Sequence, residues 1–147
     1  MIAMACEALE AAGVAKDQYT IKTNTRRLLN AVLQSIGVSD GDVARKLTVL
    51  RAIDKLDRLG IAGVRALLGP GRKDESGDFT KGADLAGDAI ERVLAFVQAG
   101  SGTRGEVLAR LSNVIANSME AEAGLAELGE IDRVLSAFGI DDARVAE

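Results

Sequence analysis

Residues Lys46–Leu68 read KLTVLRAIDKLDRLGIAGVRALL, and their rhythm decides the fold class. Leu47, Leu50, Ile53, Leu56 and Leu59 recur every third residue, and Val49 and Val64 widen the stripe. On a helix of about 3.6 residues per turn these positions share one broad face, with Arg51, Lys55 and Arg58 largely outside its centre. Asp54 and Arg58 attract one another across a turn, whereas Arg51 and Lys55 repel. Ser39, with Asp42 three residues on, gives an acidic variant of the capping box at the start, and Gly60 signals a stop. The spacing predicts an amphipathic helix.

More helices lie on either side. Residues 1–13 form an amphipathic pattern closed by Gly13, opening on Met1 and Ile2 without a capping residue. Asn24 or Thr25 can cap a helix RRLLNAVLQSI that Gly37 closes. Past the break at Gly69-Pro70-Gly71 comes a polar loop over 69–82, then a helix reaching Gln98 from about Asp84, led in by Thr80 or Lys81. Thr103 and Glu106 form a capping box for the next helix, which carries Val107, Leu108, Leu111, Val114 and Ile115. A last helix from Met119 to Phe138 places Leu125, Leu128, Ile131, Leu135 and Phe138 on one face. Gly124 and Gly129 each weaken it by about 1 kcal/mol relative to Ala, which reads as close helix approach.

Residues 18–24 break this pattern. Tyr19, Ile21 and Thr23 alternate with Thr20, Lys22 and Asn24, a period-two strand signature with no comparably clean partner elsewhere. A single strand exposes both ladder edges, so it is expected to pair with a second copy, to find its partners in sequence outside this chain, or to sit frayed against the tail. The predicted fold is mainly α, a helical bundle-like domain with one short strand at about 18–24. The uncapped start and the tail at 141–147, which lacks a terminating feature, read as the ends of a truncated piece.

Composition agrees and removes several chemistries. The chain has 147 residues, 3% aromatics, one Pro and no Trp, which favours helix on helix over a sheet protein. A net charge of −4 gives no overall basic field, so nucleic-acid contact would need a local patch. The absence of His excludes imidazole acid–base catalysis and His metal ligands, and the single Cys6 reads as a packed thiol. Gly69–Gly77 lacks the residue order of a phosphate-binding loop, and the acidic pairs Asp74-Glu75 and Asp141-Asp142 read as solvated loop. No apolar run reaches the length of a membrane span, so the expectation is a soluble, cytoplasmic protein with no membrane partner. No catalytic residue, cofactor site or metal site is predicted within the chain.

Two stretches together resemble the histidyl-tRNA synthetase family. One is Tyr19-Thr-Ile-Lys-Thr-Asn24-Thr-Arg26-Arg-Leu-Leu-Asn-Ala-Val-Leu33, similar to the family's strand-then-helix N-x-R-x-L-L segment. The other is Ala52-Ile-Asp54-Lys55-Leu-Asp57-Arg58-Leu-Gly60, similar to its DKLDK-x-G segment. Phe138-Gly-Ile140, followed by Arg144-Val145, resembles the approach to the family's histidine-binding RGL segment. The resemblance implies an internal fragment: residues 1–37 a remnant of the catalytic core, 38–140 a helical insertion domain, and 141–147 the truncated return to the core. It also implies a parent that joins histidine to tRNA with ATP and Mg²⁺ and works as a homodimer, the insertion supporting the tRNA acceptor arm. No catalytic residue of the family maps onto this sequence. Alternative readings are the regulatory subunit of ATP phosphoribosyltransferase, a non-catalytic paralogue, and a free-standing helical interaction module.

By electrostatics the candidate RNA contacts are Arg51, Lys55 and Arg58 on the central stretch and Arg72, Lys73 and Lys81 in the loop after it. The competing reading is that these are solvated charges. Only Phe79 offers an aromatic in an expected exposed loop, so backbone contact to a duplex fits better than base readout.

Overall fold

In the computed structural model, which describes residues 1–74, 76–115, 118–143 and 145–146, the elements follow as α1 (Ile2–Ala11), β1 (Ile21–Lys22), α2 (Arg26–Ser35), α3 (Val43–Ile53), α4 (Leu56–Leu68), β2 (Gly71–Lys73), β3 (Phe79–Lys81), α5 (Gly87–Gln98), α6 (Arg104–Val114), α7 (Met119–Ala137) and β4 (Val145–Ala146). The chain is mainly α, as its composition predicts. It divides into two compact units, one made of residues 1–29 with 99–147 and the other of 30–98.

In the 30–98 unit the central stretch is two helices, which corrects the expectation of one. Asp42, not Ser39, is the N-cap of α3, its carboxylate accepting the Arg45 N–H at 3.1 Å. The turn tightens at Lys55, whose N–H reaches the Ala52 carbonyl at 3.2 Å, and α4 begins one residue later. Gly60 does not stop that helix but kinks it, at φ 62°, a left-handed conformation that Gly adopts without steric penalty. The three-residue rhythm explains the break. Each such step falls about 60° short of a full turn, so a straight helix would carry the stripe round its surface. Leu47 is accordingly 44% exposed, while the fully buried positions are Val49 and Ala52 on α3 and Val64 and Leu68 on α4. Breaking at 54–55 allows each half to turn its own apolar face inward.

The expected loop over 69–82 is an antiparallel hairpin, with Gly71 opposite Lys81, Arg72 opposite Thr80 and Lys73 opposite Phe79. It is laced to the end of α4: Ala83 N–H donates to the Leu67 carbonyl at 2.9 Å and Leu85 N–H to that of Leu68 at 3.0 Å. The approach is close enough that a Cβ at Gly82 would lie 2.6 Å from the Leu67 carbonyl oxygen. Arg45 bridges from α3 to the strand's exit, donating to the carbonyls of Ala83 and Asp84 at 3.1 and 3.2 Å. The helix after the hairpin starts at Gly87, later than expected.

In the other unit the strand at 18–24 shortens to β1 and has a partner. It pairs in parallel with β4, Ile21 opposite Val145 and Lys22 opposite Ala146, so the tail completes it. Beneath lie Cys6, Leu135, Ile140 and Val145, flanked by Tyr19, Ile21 and Ile131. Cys6 is thus a packed thiol. The Tyr19 hydroxyl donates to Glu10 at 2.8 Å, and desolvation with this bond holds its phenol above the usual range. Thr25 accepts from the Arg27 N–H at 3.4 Å and donates to Glu127 at 2.8 Å, tying the start of α2 to α7. The Thr103–Glu106 capping box forms as read, and Ser118 caps α7. Gly124 is a close approach: a Cβ there would stand 2.7 Å from Leu28 Cδ2, whereas one at Gly129 would meet nothing. Phe138 is 70% exposed, not on the inward face of α7.

Candidate nucleic-acid interface

Five of the six predicted cations converge on one surface of the 30–98 unit. A cleft of about 590 Å³ is bordered by Lys55 and Arg58 at the α3–α4 break, Arg72 on β2 and Leu67 on α4. A smaller one of about 190 Å³ is bordered by Arg51, Lys55 and Lys81. Lys55, Leu67 and Thr80 border both clefts, which therefore adjoin.

The fold places each cation for a local reason. The break at 54–55 turns Lys55 and Arg58 toward the hairpin side. Arg72 is directly opposite Thr80 in the ladder, and both face the larger cleft. The guanidinium of Arg72 lies over α4 at Gly63, where an added Cβ would come within 3.6 Å of its Nη1. Neighbouring strand residues point to opposite faces, so Lys73 is carried to the other side of the hairpin and borders neither cleft.

The electrostatics are one-sided. Among the described residues, none of Arg51, Lys55, Arg58, Arg72, Lys73 and Lys81 is in an ion pair. Some other cations are matched, Lys46 with Asp40 at 2.9 Å, Arg65 with Glu91 and Arg104 with Asp132 at 2.7 Å, while Lys22, Arg26 and Arg92 are likewise in no ion pair among the described residues. Among the described residues the one carboxylate bordering the clefts is Asp74, and it is engaged within its own turn. It accepts from the Ser76 hydroxyl at 2.7 Å and the Asp78 N–H at 2.9 Å, and chiefly the Ser76 bond lowers its pKa. Guanidinium and ammonium groups left out of ion pairs around these clefts suit an extended anion such as a phosphate backbone. No group of three or more carboxylate or thiol side chains is placed to hold a metal ion among the described residues. Sequence reasoning found the cations through charge alone. It missed Thr80 and Gly63, whose roles depend on strand pairing and helix packing.

The sequence comparisons bear on what such a surface serves. Over 143 residues, 97% of its length, the chain is 54% identical to the histidine–tRNA ligase of Caulobacter vibrioides. It resembles one segment of histidine–tRNA ligase. The ligase of Methylocella silvestris is 51% identical across 95% of the chain, and that of Brucella ovis 46% across 96%. The chain spans 28% of the length of each of these curated relatives. No family model and no solved structure matches it. The resemblance read from two motifs therefore extends along nearly the whole chain. In the structure the first ligase-like motif covers β1 and most of α2, and the second, Ala52–Gly60, spans the α3–α4 break that supplies Lys55 and Arg58 to the clefts. No helix is long and apolar enough to cross a membrane among the described residues.

Proposed function

We propose that the chain is the helical insertion segment of a histidine–tRNA ligase and holds the tRNA acceptor arm by its phosphate backbone. The observation that carries this is the convergence of Arg51, Lys55, Arg58, Arg72 and Lys81, unpaired, on adjoining clefts of an otherwise acidic chain. The relatives' name supplies the RNA. On this reading the rest of the ligase, in the cytoplasm and as a homodimer, binds ATP, Mg²⁺ and histidine and performs the ligation. Residues 1–37 and 141–147 then belong to its catalytic core and 38–140 to the insertion. The parallel pairing of β1 with β4 fits an insertion that leaves and rejoins its host at neighbouring points, although the compact 30–98 unit has narrower bounds than 38–140.

Each phosphate contact releases counterions, so binding weakens as salt rises, with a slope set by the number of phosphates engaged. Fluorescence anisotropy of the 147-residue chain with labelled tRNA across a salt series tests the proposal. Arg58→Glu with Arg72→Glu is expected to weaken binding at least tenfold and to flatten the log–log salt slope by somewhat under one unit for each phosphate no longer engaged. Binding should not depend on the anticodon. An unchanged affinity and slope in the double variant would remove the clefts as the RNA-binding surface. The chain alone is expected to give no histidine-dependent pyrophosphate exchange.

A further inference from the structure

The opposite face of the hairpin has a separate composition. Gly71 and Lys73 on β2 and Phe79 and Lys81 on β3 are cross-strand pairs two residues apart, so all four share one face. Phe79 is 61% exposed, with Lys73 directly opposite and Lys81 next along its own strand. Its ring reaches diagonally over Gly71, where a Cβ would lie 3.0 Å from Phe79 Cζ. The missing side chain at Gly71 makes room for the ring tip, and φ 118° at that residue keeps the position a glycine's. The ring is therefore supported from below by backbone and open above. Neither lysine is in an ion pair among the described residues, and Lys81 also borders the smaller cleft, so this face runs into the cationic one.

We propose that Phe79, flanked by Lys73 and Lys81, is a stacking platform for one unpaired nucleotide of an RNA whose duplex phosphates occupy the clefts. An aromatic face accepts any base, and flanking ammonium groups hold the adjoining phosphates. A purely apolar partner would leave two lysines desolvated beside the ring, so the charge pattern favours a polyanion with flat bases. The inference rests on the RNA reading above and shares Lys81 with it, but Phe79 and Lys73 border neither cleft.

The test compares a blunt RNA stem–loop with the same stem–loop bearing a short unpaired extension, 2-aminopurine replacing its first base. Wild-type chain is expected to bind the extended RNA about tenfold more tightly than the blunt one and to quench 2-aminopurine fluorescence. Phe79→Leu should abolish both the gain and the quenching while leaving blunt affinity unchanged, and Phe79→Trp should keep them. Equal losses for both RNAs, or a Leu variant that keeps the gain, would overturn the platform. A Leu variant unchanged in RNA binding but altered in sedimentation would mark a protein-binding surface instead and would overturn the platform as well. If the Arg58→Glu, Arg72→Glu variant binds both RNAs with the affinity and salt slope of wild type while the Phe79 effect persists, the platform stands and the cleft reading falls. If neither RNA binds wild type, both fall.

Discussion

Arg104 and Arg58 carry the same guanidinium to opposite uses. Arg104, at the start of α6, is 3% exposed and fully engaged. It donates to Asp132 at 2.7 Å and to the carbonyls of Val145 and Ile140 at 3.0 and 3.1 Å, with Asp142 a further 3.1 Å ion partner. Arg58, at the α3–α4 break, is exposed and pairs with no carboxylate among the described residues. A cation whose valences are all filled from within stabilises the fold and has nothing left to offer a ligand. One left open contributes little to the fold and is available for binding. Burial and partners, rather than residue type, separate the two.

Removing the filled cation should have the largest effect. Arg104→Met leaves two half-buried carboxylates and two carbonyls without their donor, and unsatisfied buried polar groups cost about 1–3 kcal/mol. Urea unfolding should register that loss, and hydrogen exchange should show β4 losing protection first. Stability within about 1 kcal/mol of wild type would mean that water replaces the guanidinium at no cost, and the contrast with Arg58 would dissolve.

The glycines of α7 repeat the contrast on a smaller scale. Gly124 is pressed against Leu28, so Gly124→Ala must displace a packed side chain, costing about 1–3 kcal/mol against a helix-propensity gain of about 1 kcal/mol. Gly129 faces open space, and Gly129→Ala should raise stability by up to about 1 kcal/mol. Thermal melts of the two variants should therefore move in opposite directions.

The smallest effect belongs to the open cations. Arg51→Ala and Arg58→Ala should each leave stability within about 0.5 kcal/mol, as surface changes without partners do, while weakening RNA binding. A loss above about 1 kcal/mol from either would show a structural partner and count against its role in holding a ligand.

What could be read from the sequence followed the range of the interactions involved. Thr103 with Glu106 was legible because the capping box closes within one helical turn. The mainly α architecture was legible because helical periodicity is local. The hairpin was not, since GRK and FTK are polar and carry no alternation of apolar residues; its order comes from glycine-tight docking on α4. Nor was β4, two residues long, nor the role of Arg104, whose acceptors lie 28 to 41 residues further along the chain. The candidate cations were identified by charge, yet which would share a surface depended on strand pairing, which sends Lys73 one way and Arg72 the other.

The pairing of β1 with β4 also has a kinetic consequence. Its rungs join positions about 120 residues apart, and closing a chain loop of that length costs about 4 kcal/mol in entropy before any pairing forms. A ladder two residues long recovers little of this alone, so it can close only after the intervening helices have shortened the path between its ends. During synthesis β1 emerges before α2 to α7 and cannot pair with β4 until Val145 arrives. The β1–β4 pairing thus sets later than the helices between its strands, and its closure reports that they have already folded.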